Sequence, residues 1–86
     1  MKYYINAVKK NGESHIMHES DNLEYIFSIY NSLHADEEVP LIELMESCED
    51  DDYRLAYTEW FNQKSQKEVH DPRIVDMWRK GQHEKD

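Results

Sequence analysis

The sequence predicts an α+β domain: a small antiparallel sheet of order ββαββ, one covering helix, and a short C-terminal helix. Three observations predict it. An alternating opening segment breaks at Asn11-Gly12, a stripe of apolar residues follows from Leu23 at helical spacing, and Asp71-Pro72 marks a second helix start. At 86 residues the chain has room for one hydrophobic core. The expected organisation is a ββαββ core over residues 1–62, a linker over 63–70, a C-terminal helix over 71–81 and a disordered tail over 82–86.

Lys2 to Lys10 reads as a strand, with Tyr3, Ile5 and Ala7 on one face and Tyr4, Asn6 and Val8 on the other. Asn11-Gly12 suits the positive φ angles of a two-residue type I′ turn, and Glu13 to Ser20 returns as the second strand. That turn sets the expected register: Lys10 opposite Glu13, Val8 opposite His15, Ala7 opposite Ile16, Asn6 opposite Met17, Ile5 opposite His18. The face carrying Tyr3, Ile5, Ala7 and Ile16 is the more apolar and is expected against the core.

A helix is expected next, from Asp21 to Leu33. Asp21 is a good N-cap, and Glu24 completes a capping box. Leu23, Ile26, Phe27, Tyr30 and Leu33 make one stripe. Their burial contributes about 2 kcal/mol each. Ordering the backbone costs about 1–2 kcal/mol per residue. The helix therefore has to lie across the hairpin, which itself needs a cover.

Residues 39–61 admit two readings. Val39 to Glu46 and Tyr53 to Phe61 fit two strands, with Pro40 near the first start and Glu49 to Asp52 as the turn. Leu41, Leu44, Met45 and Cys48, and then Tyr53, Ala56, Tyr57, Trp60 and Phe61, also fit a helical period. Packing favours strands, because a lone hairpin under one helix leaves a thin core. In that reading Trp60 and Phe61 close the core. Asn62 to Val69 is polar and reads as a linker. Asp71 then caps a helix with Pro72 at its first position and Gly81 as its stop, and Ile74, Met77 and Trp78 form its apolar stripe.

The charge is unevenly placed. Lys and Arg number 10 and Asp and Glu 19, for a formal net charge of −9. Residues 35–53 hold Asp36, Glu37, Glu38, Glu43, Glu46, Glu49, Asp50, Asp51 and Asp52 with no base, so this segment matches the whole excess. A nucleic-acid strand carries one charge per ~3.4 Å of duplex axis. Extended, the acids would sit roughly 6 Å apart. Folded as a hairpin or helix they would project at roughly 3 Å apiece, near the density of one strand. Such a face suits a basic groove on another protein, with encounter that weakens in salt. The plainer reading is a solvated acidic turn that keeps the chain monomeric.

Several chemistries are disfavoured. The excess of acids argues against direct nucleic-acid binding. No apolar run approaches the ~20 residues of a bilayer span, and the opening residues lack the apolar stretch of a secretory signal, so a cytoplasmic setting is expected. One cysteine, Cys48, cannot form an internal disulfide, and the carboxylates around it disfavour a thiolate. His15 and His18, an odd number apart on a strand, are expected on opposite faces, while His34, His70 and His83 lie elsewhere. Asp50-Asp51-Asp52 lacks the alternation, central Gly and final Glu of a calcium loop. Gly12 and Gly81 are used by a turn and a stop, leaving none for a phosphate loop. No catalytic residue, metal site or cofactor is assigned.

The hairpin from Lys2 to Gly12, the helix start at Asp21-Asn22-Leu23 and the stretch from Tyr53 to Trp60 together resemble the layout of small acidic accessory proteins of Gram-positive phages and mobile elements. The resemblance covers roughly residues 2–62 and is one of layout. It implies a non-enzymatic inhibitor that occupies a nucleic-acid-binding site on a host protein. No functional residue is carried over from the resemblance; it is the placement of charge that sets the expected partner, a protein with a basic surface met through the nine carboxylates of residues 36–52. The alternative is a structural or oligomerisation module, a homodimer joined through Met77 and Trp78.

Overall fold

The computed structural model describes residues 2–84, with side chains described through residue 80. In chain order the elements are β1 (Tyr3–Val8), β2 (Ser14–Ser20), α1 (Leu23–Ser32), β3 (Leu41–Glu46), β4 (Tyr53–Phe61), β5 (Lys64–Val69) and α2 (Pro72–Glu84). The strands form one five-stranded antiparallel sheet in the order β2-β1-β3-β4-β5. Because β2 and β3 each run antiparallel to β1, they are parallel to each other, and α1 is the crossover between them. The α+β class holds. The expected ββαββ sheet does not, since a fifth strand follows β4.

That fifth strand corrects the linker expected over 63–70. Asn62 and Gln63 take positive φ angles of 52° and 61°, forming a two-residue hairpin turn that pairs Phe61 with Lys64 and runs on to Ala56 with Val69. Gln in that conformation is uncommon, which is why the turn is hard to read. A strand as polar as Lys-Ser-Gln-Lys-Glu-Val is tolerated because it lies at the sheet edge, where charged side chains also discourage further pairing.

The first hairpin is one residue longer in its loop than expected. Lys9 N donates to Glu13 O at 2.7 Å, Gly12 N donates to Lys9 O at 2.9 Å, and Gly12 has φ 92°. This is a three-residue loop with glycine in the left-handed position, replacing the type I′ turn. The register shifts accordingly: Val8 faces Ser14, Ala7 faces His15 and Asn6 faces Ile16. A bulge at Met17 then restores the expected pairing of Ile5 with His18. Tyr3, Ile5 and Ala7 are buried as expected, but Ile16 lies across from Asn6 and is 46% exposed. The bulge also places both His15 and His18 across from core-facing residues, which corrects their assignment to opposite faces.

Helix α1 is capped by Asn22, one residue after the expected cap at Asp21, its Oδ1 accepting from Tyr25 N at 3.0 Å. Ile26, Phe27 and Tyr30 are buried, and Leu23 and Leu33 pack beside them. Residues 41–46 and 53–61 are strands, which settles the open choice over 39–61. A second bulge, at Leu55, turns both Leu55 and Ala56 into the core. Trp60 and Phe61 do not close the core as expected. Trp60 is half-buried and Phe61 is 57% exposed, and Ile74 of α2 supplies the missing apolar cover.

Helix α2 begins as expected, with Asp71 Oδ1 accepting from Arg73 N at 2.9 Å. Gly81 does not stop it. Without a left-handed C-cap a glycine only weakens a helix, by about 1 kcal/mol, and the helix continues to Glu84. Residues 82–84 of the expected tail are therefore helical, and 85–86 lie outside the described residues. Both helices feed one buried cluster on one face of the sheet, built from Ile5, Leu44, Leu55, Ile26, Tyr30 and Ile74 among others. Cα extents of 37 × 34 × 18 Å fit two layers.

Candidate functional site

The nine carboxylates of residues 36–52 fall in three places. Asp36, Glu37 and Glu38 occupy the loop before β3. Asp36 Oδ1 accepts from Glu38 N at 2.9 Å and Val39 N at 2.8 Å, folding the loop on itself. Lys10 N donates to Glu38 O at 2.9 Å, and Lys10 Nζ lies 3.7 Å from Glu37, an exposed pair of little energetic weight. An open groove of about 510 Å³ lined by Lys9, Lys10, Asn11, Glu38 and Val39 marks this junction.

Glu49, Asp50, Asp51 and Asp52 sit in the β3–β4 turn at the other end of β3. By strand rise the two groups stand roughly 20 Å apart. Asp52 accepts from Cys48 N at 3.3 Å and from the Tyr4 hydroxyl. Partial burial and then this bond to a carboxylate push the Tyr4 hydroxyl up to about 12. Glu49, Asp50 and Asp51 are exposed, with no cationic partner among the described residues.

Glu43 and Glu46 lie between these groups, on opposite faces of β3, because their separation is odd. Glu43 accepts from Asn6 Nδ2 at 3.1 Å and from Arg54 Nη1 at 3.3 Å. Glu46 faces the helices and accepts from Arg73 Nη2 at 2.9 Å. Arg73 also holds Asp71, with Nε 3.1 Å from Oδ1 and Nη2 3.2 Å from Oδ2. Burial alone would raise the Asp71 carboxyl. The hydrogen bonds and charge of Arg73 outweigh it and hold the group below its usual range. Glu46 and Asp71 in turn raise the Arg73 guanidinium. Met77 and Trp78 are half-buried and pack against the chain's own core cluster.

The sheet face away from the helices sets Glu43, one of the nine expected carboxylates, beside Tyr57, Glu59 and Glu68, which the sequence reading left out. Pairing sets Glu43, Tyr57 and Glu68 in one row and Leu41, Glu59 and Gln66 in the next. The Arg54 guanidinium lies 4.2 Å from the Tyr57 ring centroid and bonds to Glu43. No side chain on this face reaches the burial of the core, so among the described residues it is uncovered. The alternation Tyr57, Glu59 within β4 was available as a signal. Glu68 could join it only once Asn62-Gln63 was read as a turn.

Among the described residues no group of three or more His, Cys, Asp or Glu side chains converges to hold a metal ion. His70 Nε2 lies 2.8 Å from Arg54 O, and its ring meets Tyr53 edge-on with centroids 6.4 Å apart. Cys48 is exposed. No helix among the described residues is long and apolar enough to cross a membrane.

Fold and surface together define a two-layer α+β domain with one sheet face open and two acidic loops at opposite ends of its central strand. Comparison with protein-family models, with curated proteins and with solved structures finds no match.

Proposed function

We propose that this protein is a non-enzymatic, cytoplasmic binding protein whose carboxylates engage the basic, nucleic-acid-binding surface of a partner protein and so inhibit it. The observation that carries the reading is the solvent-exposed turn Glu49-Asp50-Asp51-Asp52, in a segment with nine acids and no base. The second acidic loop stands roughly 20 Å away, about six phosphate steps along one strand of a duplex, so the two loops match two ends of a short phosphate track rather than one compact patch. Glu43 and Glu46 are engaged by Arg54 and Arg73 and contribute less net field.

The test is inhibition of a panel of nucleases and polymerases at low and high salt. Reversal of Glu49, Asp50 and Asp51 to Lys is the informative variant, since Asp52 also bonds Tyr4 and Cys48. Inhibition that falls with salt and is lost on reversal supports the reading, and inhibition unchanged by reversal overturns it. Association through Met77 and Trp78 has no comparable support, because both side chains serve the chain's own core.

A further inference from the structure

We infer that the open face of the sheet is a docking surface for an arginine-bearing segment of a basic partner protein, with Tyr57 as the platform on which the guanidinium stacks. The inference rests on the reading that the partner is cationic, but it moves the point of recognition from the loops to the sheet. Tyr57 is the centre of a small arrangement. Glu43 lies directly across from it on β3, Glu68 directly across on β5, and Glu59 two residues along β4 on the same face. Neighbouring strands are ~4.8 Å apart and alternate residues ~6.7 Å, so three carboxylates ring one aromatic side chain.

The chain already shows what this arrangement holds. Arg54 stacks its guanidinium 4.2 Å from the Tyr57 centroid while Nη1 meets Glu43 at 3.3 Å. A planar cation stacked on a ring with a carboxylate at its edge is a mode that arginine satisfies and lysine does not. Glu59 and Glu68 have no ion-pair partner among the described residues, so the ring is filled on one side only. The Arg54 side chain is itself 43% exposed against 18% for Glu43, so the guanidinium sits on the solvent side of the pair, where an incoming guanidinium can exchange with it. The occupant therefore has complementary charge and planar geometry. Tyr4, Met45, Val8 and Leu41, which are half-buried on the same face, would pack against the rest of the segment.

The experiment uses the full chain labelled with ¹⁵N, titrated with octa-arginine and with octa-lysine at low salt and at about 0.3 M salt. The expected result is shift changes centred on Tyr57, Glu59 and Glu68, with tighter binding of octa-arginine. Tyr57→Leu should weaken octa-arginine about fivefold, the scale of an exposed cation–π contact. Glu59→Gln with Glu68→Gln should weaken it further. Arg54→Gln should tighten it by vacating Tyr57 and Glu43, and by more than Lys64→Gln, which removes the same charge beside Phe61. Each variant is checked by thermal melting before titration. Shifts centred on residues 49–52 with equal affinity for both peptides would overturn this inference and leave the acidic-loop reading standing. No saturable binding of either peptide would overturn both. Self-association without peptide, abolished by Glu59→Lys with Glu68→Lys, would assign the face to a second copy and likewise overturn it.

Discussion

Thr58 Oγ1 donates a 2.9 Å hydrogen bond to the Tyr30 hydroxyl in the interior, where α1 meets β4. Both residues are at most 1% exposed, and no buried side-chain nitrogen or oxygen among the described residues lacks a partner. Thr58→Val would leave the Tyr30 oxygen buried and unpaired, at a cost of about 1–3 kcal/mol, or some 4–8 °C in Tm per kcal/mol for a domain this size. Tyr30→Phe strands the Thr58 hydroxyl in the same way. The double variant, measured by denaturant unfolding, should cost less than the sum of the two, because neither polar group remains.

The same pair sets a response to base. Burial pushes the Tyr30 hydroxyl up to about 12 from 10.0, even though the bond from Thr58 works the other way. A group that binds its proton more tightly in the folded state stabilises the fold fully below its unfolded value. That contribution is lost as pH rises from about 10 through about 12. Stability measured across that window should fall, and the fall should be smaller in Tyr30→Phe. Tyr4, raised to about 12 at the open face, contributes in the same direction.

At the acid end Asp71 contributes. Its carboxyl is held below the usual 3.8, so its stabilisation is present above that value and lost as pH falls through the lower, folded-state value. Asp71→Ala removes a helix cap, about 0.5–2 kcal/mol, and leaves Arg73 with Glu46 alone. Acid titration followed by circular dichroism should show the variant melting earlier at neutral pH, with a flatter response below pH 4.

Ile74 tests whether α2 belongs to the domain. It is 0% exposed within the common core. Ile74→Ala should cost about 2–5 kcal/mol, against a typical total of 5–15, whereas truncating a side chain in an undocked helix would cost almost nothing. Urea unfolding distinguishes the two.

The Asn62-Gln63 turn offers a gain. Gln63 has φ 61°, a conformation that costs a residue with a Cβ roughly 1–2 kcal/mol. Gln63→Gly should raise the Tm. Gln63→Val should lower it, since branching at Cβ makes the left-handed region worse.

Elements with a strong local pattern were legible. The α1 stripe could be read because burial of Ile26, Phe27 and Tyr30 follows the helical period, and β1 because Tyr3, Ile5 and Ala7 alternate with less buried neighbours. β5 was not legible because an edge strand needs little apolar surface and its turn lacks glycine. The first hairpin was legible as a hairpin but not in its register, since Gly12 serves a two-residue turn and a three-residue loop equally well. The acidic segment was legible as charge but not as a surface.

Composition and local periodicity by themselves determined the α+β class, the apolar stripe of α1 and the confinement of the excess charge to residues 35–53, because each depends only on neighbours along the chain. Only the tertiary structure decided where each carboxylate points. Strand alternation sends Glu43 and Glu46 to opposite faces, β3 holds the two acidic loops at its two ends, and the pairing of β5 with β4 brings Glu68 beside Tyr57. Register and bulges depend on long-range packing, and a shift of one residue moves a side chain from one face of a sheet to the other.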